Sequence, residues 1–164
     1  MTDEQGTVDV KSDADPTYAA VHALLAKYAD ILTTVRNGEV ERKAVTVVIS
    51  GNRAEETIRQ QPVRYAGIDG RPKDLPLDDP AHVLPWISAN WNEQFRWRGD
   101  GPMPKAEREK LRDYVAKAHA NGRLVRFWAT SEDETVWKEL LAAKVDLIGT
   151  DDLDRLRAFL VQQP

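Results

Sequence analysis

Short apolar runs alternate with helical segments along most of this sequence, and this alternation limits the folds available to it. The clearest buried strand is Ala44–Ile49, whose β-branched residues run almost without a polar interruption, as is typical of strands covered on both faces. A helix is predicted over Lys105–Ala120, because two prolines precede it and Asn121-Gly122 closes it. Alternating strands and helices predict βαβ units and a parallel sheet. Right-handed crossovers then leave two architectures, an open doubly wound sheet and a (β/α)8 barrel.

The remaining elements follow from local signals. A short strand is predicted over Thr7–Lys11, and the polar residues 1–6 before it are expected to be disordered or frayed. Helical spacing predicts one amphipathic helix from Pro16 to Val35, with Asp15 as its N-cap and Asn37-Gly38 at its end. Further strands are predicted over 63–69, 83–87, 124–130 and 145–149, further helices over 53–60, 133–143 and about 153–162, and loops over 70–85 and 91–101.

Composition excludes several classes of protein. With 164 residues the chain is long enough for one domain, and with no cysteine it has neither a disulfide framework nor a thiolate zinc site. Its net charge of −4, with bases interleaved among acids, argues against a nucleic-acid partner. The apolar runs are too short for a transmembrane segment, no signal peptide is visible, and the localisation is not indicated.

Polar residues follow successive strands of the predicted sheet. Because function gathers at the C-terminal ends of parallel strands, these residues could line one pocket. Alternatively, they are polar only because they lie in solvated loops or cap helices. Capping would explain Asp133 and at least one of Asp151 and Asp152. The residues at strand ends are Asp9, Lys11, Ser50, Asn52, Asp69, Arg71, Asn90, Trp91, Trp128, Thr130, Ser131, Asp133, Thr150, Asp151 and Asp152.

Asp9 and Lys11 have two interpretations. Residues two apart in a strand share a face, so an acid and a base point the same way here. They could form a functional pair at a barrel mouth or a salt bridge on an edge strand, and the pattern favours neither.

The histidines offer little acid–base chemistry on their own. His22 and His119 fall in predicted helices, and only His82, in a loop, is a plausible acid–base group. The sequence contains no Gly-rich phosphate loop, no zinc-type histidine motif and no nucleophile elbow. Local motifs therefore predict a fold and a pocket face without a reaction.

Several short runs together resemble one superfamily of phosphodiesterases. They are similar to the relatives of glycerophosphodiester phosphodiesterase and phosphatidylinositol-specific phospholipase C, and within these to the branch called altered inheritance of mitochondria protein 6-like. The order and spacing of the runs, over about residues 7 to 160, make the resemblance more specific than any one run. The runs are Val8–Lys11, Val45–Arg53, Tyr65–Arg71, Phe95–Gly99, Arg126–Thr130 and Val145–Asp151.

The resemblance implies a fold, a chemistry and a set of site residues. The family fold is a TIM-type barrel, so the fold class is α/β, a partial TIM (β/α) barrel with N-terminal βα units missing. In the family, two histidines act as base and acid, and a divalent metal (Mg or Ca) held by carboxylates neutralises phosphate charge. Carried over by position, Asp9 matches a metal ligand, Lys11 the phosphate-facing catalytic lysine, and Trp128 an aromatic residue of the substrate pocket, while Asn52 and Arg126 match polar substrate-binding positions.

The family's histidine motifs and its E-x-D carboxylates have no counterpart in this sequence. A (β/α)8 barrel typically takes about 250 residues, so residues 7–164 are expected to be the C-terminal portion of such a barrel.

Three hypotheses remain open. In the first, the chain is the C-terminal part of a metal-dependent phosphoric diester hydrolase for small-molecule or lipid phosphodiesters, inactive by itself. In the second, it is a non-catalytic half-barrel that serves as a binding or assembly module, its exposed strand edges covered by a homodimer or by a missing N-terminal half. In the third, it is an unrelated small α/β domain without a ligand.

Overall fold

The computed structural model describes residues 4–163 and contains nine strands and six α-helices within that range. Two short 3-10 helices, Ala26–Tyr28 and Pro72–Asp74, accompany them. The strands are β1 (Glu4–Val10), β2 (Thr34–Arg36), β3 (Glu39–Glu41), β4 (Val45–Gly51), β5 (Val63–Arg64), β6 (Ala66–Gly70), β7 (Trp86–Asn90), β8 (Leu124–Trp128) and β9 (Leu147–Ile148). The helices are α1 (Ala14–Leu25), α2 (Glu55–Gln60), α3 (Trp91–Gln94), α4 (Lys105–Ala120), α5 (Glu134–Ala142) and α6 (Leu153–Val161).

The chain divides into two compact units, and parallel strands dominate each. Unit 1 comprises residues 4–70 and 78–85, and unit 2 comprises 71–77 and 86–163. In unit 1, β4 pairs in parallel with both β1 and β6. In unit 2, β8 pairs in parallel with both β7 and β9. The α/β class is thereby confirmed, and parallel strands alternating with helices are consistent with a partial TIM-like barrel.

Unit 1 buries one face of its parallel strands against its helices. Val10, Ile49 and Ile68 come from the three strands, and they pack in one cluster with Tyr18 of α1 and Ile58 of α2. The other strand face holds the alternate residues, as the period of two requires. Asp9, Ser50 and Asp69 belong to that second face.

The predicted helix from Pro16 to Val35 is wrong in its second half. The α-helix begins at Ala14, one residue before the proposed N-cap Asp15, and ends at Leu25. Asn37 and Gly38 do not cap a helix but form the turn of the β2–β3 hairpin, with φ angles of 50° and 88°. Positive φ at both central residues is the requirement of a type I′ turn, which Asn-Gly meets better than most pairs.

The predicted strand over 83–87 is wrong in its first three residues, which belong to the segment before β7. Strand β7 begins at Trp86. The preceding chain crosses β6 instead, because the Ile68 amide donates to the Val83 carbonyl at 2.8 Å. Pro85 lies so close to Gly67 that a Cβ atom at Gly67 would be 2.5 Å from the proline ring. Gly67 is therefore needed for this close approach.

Unit 2 has an aromatic interior. Phe127 of β8 contacts Trp91 and Phe95 edge-on, with ring centroids 5.4 and 5.7 Å away, and Tyr114 of α4 approaches the same ring. The Trp91 indole N–H donates to the Trp97 carbonyl at 2.9 Å, so burial leaves this polar group satisfied. The aromatic residues 91–101 were expected to form only a loop, but α3 begins there with Asn90 as its N-cap.

Among the other predicted elements, some are confirmed and some begin or end at different residues. Helix α4 has the predicted bounds, and Asp133 and Asp152 are the N-caps of α5 and α6. The predicted strand 63–69 is two strands, because β5 pairs antiparallel with β2 while β6 joins the parallel sheet. Strand β1 begins at Glu4, so residues 4–6 are not frayed, and residues 1–3 lie outside the described residues.

Candidate functional site

The C-terminal ends of the unit 1 strands hold a row of polar side chains. Asp9 of β1 is paired in register with Ser50 of β4. The Ser50 hydroxyl donates to the Asp69 carboxylate at the end of β6, with an oxygen–oxygen distance of 2.6 Å. Asp69 is only 1% exposed, and Arg53 donates to its backbone carbonyl. The sequence placed all three at strand ends, and the structure brings them to one edge of unit 1.

Asp9 and Lys11 form an ion pair on an edge strand. The Lys11 Nζ lies 2.7 Å from the Asp9 Oδ2, and the two side chains are 82% and 50% exposed. Within the described residues, β1 pairs with β4 alone. The ordinary interpretation of this pair therefore fits the geometry, although an exposed pair also remains accessible to a ligand. The catalytic role of Lys11 stays a prediction.

Asn52 has a local structural role in the turn after β4. Its backbone N–H donates to the Val10 carbonyl at 2.8 Å, and its Nδ2 donates to the Ser12 carbonyl at 2.9 Å. Gly51 before it has a φ of +70°, and an added Cβ would lie 2.3 Å from the Asp9 Oδ1. The turn therefore wraps the end of β1 and leaves room for the Asp9 carboxylate. A substrate contact of Asn52 stays a prediction.

The residues around Asp9 do not form a cage for a divalent cation. Mg²⁺ and Ca²⁺ prefer about six to eight oxygen ligands, usually with more than one carboxylate. Among residues 4–163, no group of three or more histidine, aspartate or glutamate side chains is placed to hold a metal ion. Asp9 is also engaged by Lys11. The described residues therefore do not fit a complete metal site.

Each of the histidines packs away from these strand ends. His22 lies between the rings of Tyr18 and Tyr65, with centroid distances of 5.9 and 5.3 Å, and burial lowers its pKa. His82, the one plausible acid–base histidine, contacts Arg64 through its Nδ1, and burial together with the Arg64 charge lowers its pKa. It neighbours the start of β6, opposite to the end where Asp69 lies.

His119, the third histidine, contacts a carboxylate near β9. Its Nε2 lies 2.8 Å from the Asp146 Oδ2, and the same carboxylate oxygen accepts from the Val125 amide at 2.8 Å. This arrangement links the end of α4 to the chain before β9. It leaves His119 with a structural role.

Arg126 supplies a positive charge in the middle of β8. Its Nη1 donates to the hydroxyl of the neighbouring Ser88 on β7 at 3.1 Å. In the part of the chain that the structure describes, it forms no ion pair. A half-buried guanidinium beside a neutral hydroxyl keeps its charge available for an anion.

Trp128 ends β8 and borders an open groove. The groove has a volume of about 220 Å³, and the Trp128 side chain beside it is 42% exposed, which is unusual for so large an apolar group. The structure thus brings Arg126 and Trp128, two of the predicted substrate residues, to one cavity. The groove is lined by Arg126, Trp128, Ala129, Thr130, Glu132, Gly149, Thr150 and Asp151.

Glu132 is a groove residue that the sequence did not indicate. Its Oε2 accepts from the Thr150 hydroxyl at 2.5 Å, and its Oε1 accepts from the Asp151 amide at 3.0 Å. Its neighbour Asp133 caps α5 by accepting from the Thr135 amide at 2.6 Å. Hydrogen bonds from the Thr135 side chain and then from its amide lower the pKa of Asp133. An acidic residue before a helix is expected as its N-cap, and Asp133 has that role. The sequence therefore offered no further reason to single out Glu132.

The comparisons with known proteins concern these same residues. The family described as "Glycerophosphoryl diester phosphodiesterase family" matches residues 125–154. No curated protein and no solved structure matches the chain significantly. The matched segment contains β8 except Leu124, all of α5 and β9, and every residue that lines the groove. The match supports the resemblance to the phosphodiesterase superfamily.

Within residues 4–163, no helix has the length and apolarity needed to cross a bilayer.

Proposed function

We propose that this chain is part of a phosphoric diester hydrolase of the glycerophosphodiester phosphodiesterase type, and that the groove beside β8 binds a small-molecule or lipid phosphodiester. One observation supports this proposal above the others. All residues that line the groove fall inside the segment matched by that family, residues 125–154. The segment that resembles the family and an open cavity therefore coincide in this part of the chain.

Arg126 is the phosphate-binding group in this proposal. A guanidinium presents its N–H donors as a planar fork that matches phosphate oxygens. Arg126 donates to Ser88 through Nη1 alone, so further donors remain for a ligand. Trp128 offers an exposed ring on the same groove, against which the alcohol part of the diester can pack.

Asp9 and Lys11 belong to the proposal by resemblance. In it, Asp9 supplies one ligand of a divalent metal (Mg or Ca), Lys11 faces the phosphate, and Asn52 contacts substrate. Further carboxylates and the acid–base histidines must then come from elsewhere, because the described histidines have the packing roles given above. The narrower assignment to the altered inheritance of mitochondria protein 6-like branch stays a prediction, since most of its motifs lie outside residues 125–154.

Binding tests the groove directly. We expect glycerol 3-phosphate to bind the chain and Arg126→Ala to weaken binding about tenfold or more, because a hydrogen bond to a charged group contributes about 1.5–3 kcal/mol. Isothermal titration calorimetry measures the dissociation constants. Arg157→Ala, which removes an exposed arginine of α6, is the matched control and should leave the affinity unchanged. Equal affinities for the Arg126→Ala variant and the wild type would contradict the proposal.

Turnover tests the catalytic half of the proposal. We expect the chain alone to hydrolyse neither glycerophosphodiesters nor lysophospholipids in Mg²⁺ or Ca²⁺, because loss of a general acid or base typically costs about 10²–10⁴-fold. Release of the alcohol from glycerophosphocholine is the assay. Sustained turnover that depends on Lys11 would mean that the chain carries a complete catalytic set.

A second candidate function is a non-catalytic binding or assembly module. It is favoured by strand β1, whose seven residues pair with β4 alone in the described part of the chain. An open edge of this length invites another strand, supplied by a second copy or by an N-terminal half. Size-exclusion chromatography with light scattering distinguishes these outcomes, because a monomer at every concentration argues against edge pairing.

A further inference from the structure

Strand β9 is too short to fix the groove wall that follows it. Its ladder with β8 consists of Arg126–Leu147 and Phe127–Ile148, and it ends at Ile148. Thr150 and Asp151 nevertheless line the groove two and three residues later. Something other than the sheet must therefore hold these two residues in place.

The Glu132 carboxylate makes the connections that the sheet does not. Its two oxygens accept from the Thr150 hydroxyl at 2.5 Å and from the Asp151 amide at 3.0 Å. The Glu132 backbone carbonyl accepts from the Arg155 Nη1 at 2.8 Å, which joins the same loop to α6. Thr150 in turn accepts from the Asp152 amide at 2.9 Å. One half-buried side chain thus ties the β8–α5 loop to the β9–α6 turn.

We propose that Glu132 is a positioning residue: its carboxylate holds Thr150 and Asp151 as one wall of the groove, so that ligand affinity depends on a residue that need not touch the ligand. The effect on ligand binding rests on the function proposed above. Without Glu132 the turn samples more conformations, and a ligand must order it on binding. The Asp151 amide and Thr150 hydroxyl, now committed to Glu132, also become exposed to solvent.

The first experiment needs no ligand. Amide hydrogen exchange measured by NMR should be at least tenfold faster at Asp151 in Glu132→Ala than in the wild type, while the amides of Val125 and Phe127 in β8 keep their rates. Glu132→Gln should restore slow exchange, because its amide oxygen can still accept from Asp151 and its NH₂ can donate to the Thr150 hydroxyl. Glu134→Ala, which removes an exposed acid two residues away in α5, is the matched control.

The second experiment measures glycerol 3-phosphate binding in the same variants. Glu132→Ala should weaken binding about three- to tenfold, with Glu132→Gln and Glu134→Ala close to the wild type. Unchanged Asp151 exchange in Glu132→Ala would overturn the positioning role. Accelerated exchange with unchanged affinity would overturn its coupling to the ligand. If the wild type binds no glycerol 3-phosphate while Asp151 exchange still depends on Glu132, the proposed function fails and the positioning role stands.

Discussion

Units 1 and 2 share a parallel three-stranded arrangement but differ in what they bury. The interior of unit 2 is aromatic, and the Phe127 ring contacts three other rings, those of Trp91, Phe95 and Tyr114. The interior of unit 1 is largely aliphatic.

Each unit also buries an arginine. Arg64 of unit 1 is 4% exposed and contacts His82. Arg123 of unit 2 is 0% exposed and donates to the backbone carbonyls of Asp74 and Leu77. Burial lowers the pKa of Arg64. A buried charge without an acid partner is costly.

The two units also treat charge at their strand ends in opposite ways. In unit 1 the acid Asp9 is matched by Lys11, and Asp69 by the Ser50 hydroxyl. In unit 2 Arg126 meets only a neutral serine and borders an open groove. Unit 1 thus pairs its polar strand ends internally, whereas Arg126 of unit 2 has a neutral hydroxyl as its partner.

The aromatic interior of unit 2 should be the most sensitive to truncation. Phe127→Ala is expected to lower the free energy of unfolding by about 3–5 kcal/mol, the usual cost of emptying a buried phenylalanine site. Ile68→Val in unit 1 removes one methyl group and should cost about 0.5–1.5 kcal/mol. Urea unfolding followed by tryptophan fluorescence measures both. Similar losses for the two variants would contradict the larger cost expected for emptying the Phe127 site.

Mild acid should instead weaken unit 1. The pKa values of His22 and His82 are lowered from the ordinary 6.5, so the folded state favours their neutral forms. The unfolded chain takes up protons first, and stability is therefore fully present above about pH 6.5 and lost as the pH falls below it. The neighbouring groups do not offset this loss: Arg64 repels a protonated His82, and Tyr18, with its pKa raised to about 12, stays neutral and supplies no negative charge.

Urea unfolding at pH 7.5, 6.5 and 5.5 measures this loss, and His82→Asn should flatten it. Asp133 and Glu139 do not titrate in this pH range. Their pKa values are lowered in the folded state, so their stabilising contribution is lost only below about pH 3.8 and pH 4.5, respectively. A pH-independent free energy over this range would show that the histidines are not held neutral by the fold.

The ion pair of unit 1 should matter least. Lys11→Met is expected to change the free energy of unfolding by less than about 1 kcal/mol, because exposed ion pairs contribute little. It should also weaken glycerol 3-phosphate binding less than Arg126→Ala does. Calorimetry compares the two variants directly. If Lys11→Met weakens binding as much as Arg126→Ala, the proposed difference between the charged residues of the two units is contradicted. The phosphate-facing role of Lys11 would then gain support.

How much the sequence predicted depended on whether the signal was local. Helix α4 was predicted over its full length because its prolines, its spacing and Asn121-Gly122 all lie within it or beside it. The hairpin after α1 was missed because Ile31, Leu32 and Val35 continue a helical spacing. Only the tertiary contacts show otherwise: Val35 pairs with β5, and Leu32 forms an isolated bridge to Val45. Tertiary pairing overrode local periodicity there.

The candidate site shows the same limit. The resemblance predicts Arg126 and Trp128 as substrate-binding residues, and the structure places both beside one groove because alternate residues of one strand share a face. Their contact with substrate stays a prediction. Glu132 was missed because its partners, Thr150 and Asp151, are about twenty residues away along the chain and only the fold brings them together.

The β2–β3 hairpin also has a consequence for the order of folding. Arg36 and Glu39 pair across a two-residue turn, whereas the parallel partners Glu4 and Val45 are about forty residues apart. Hairpins of this kind form in about 1–10 μs, and pairing between distant segments is slower because a longer loop must close. We expect the hairpin to be present before β1 meets β4, which stopped-flow kinetics of Val40→Ala and Val8→Ala can test. The loop that closes in the slow step is then effectively shorter than the sequence separation suggests.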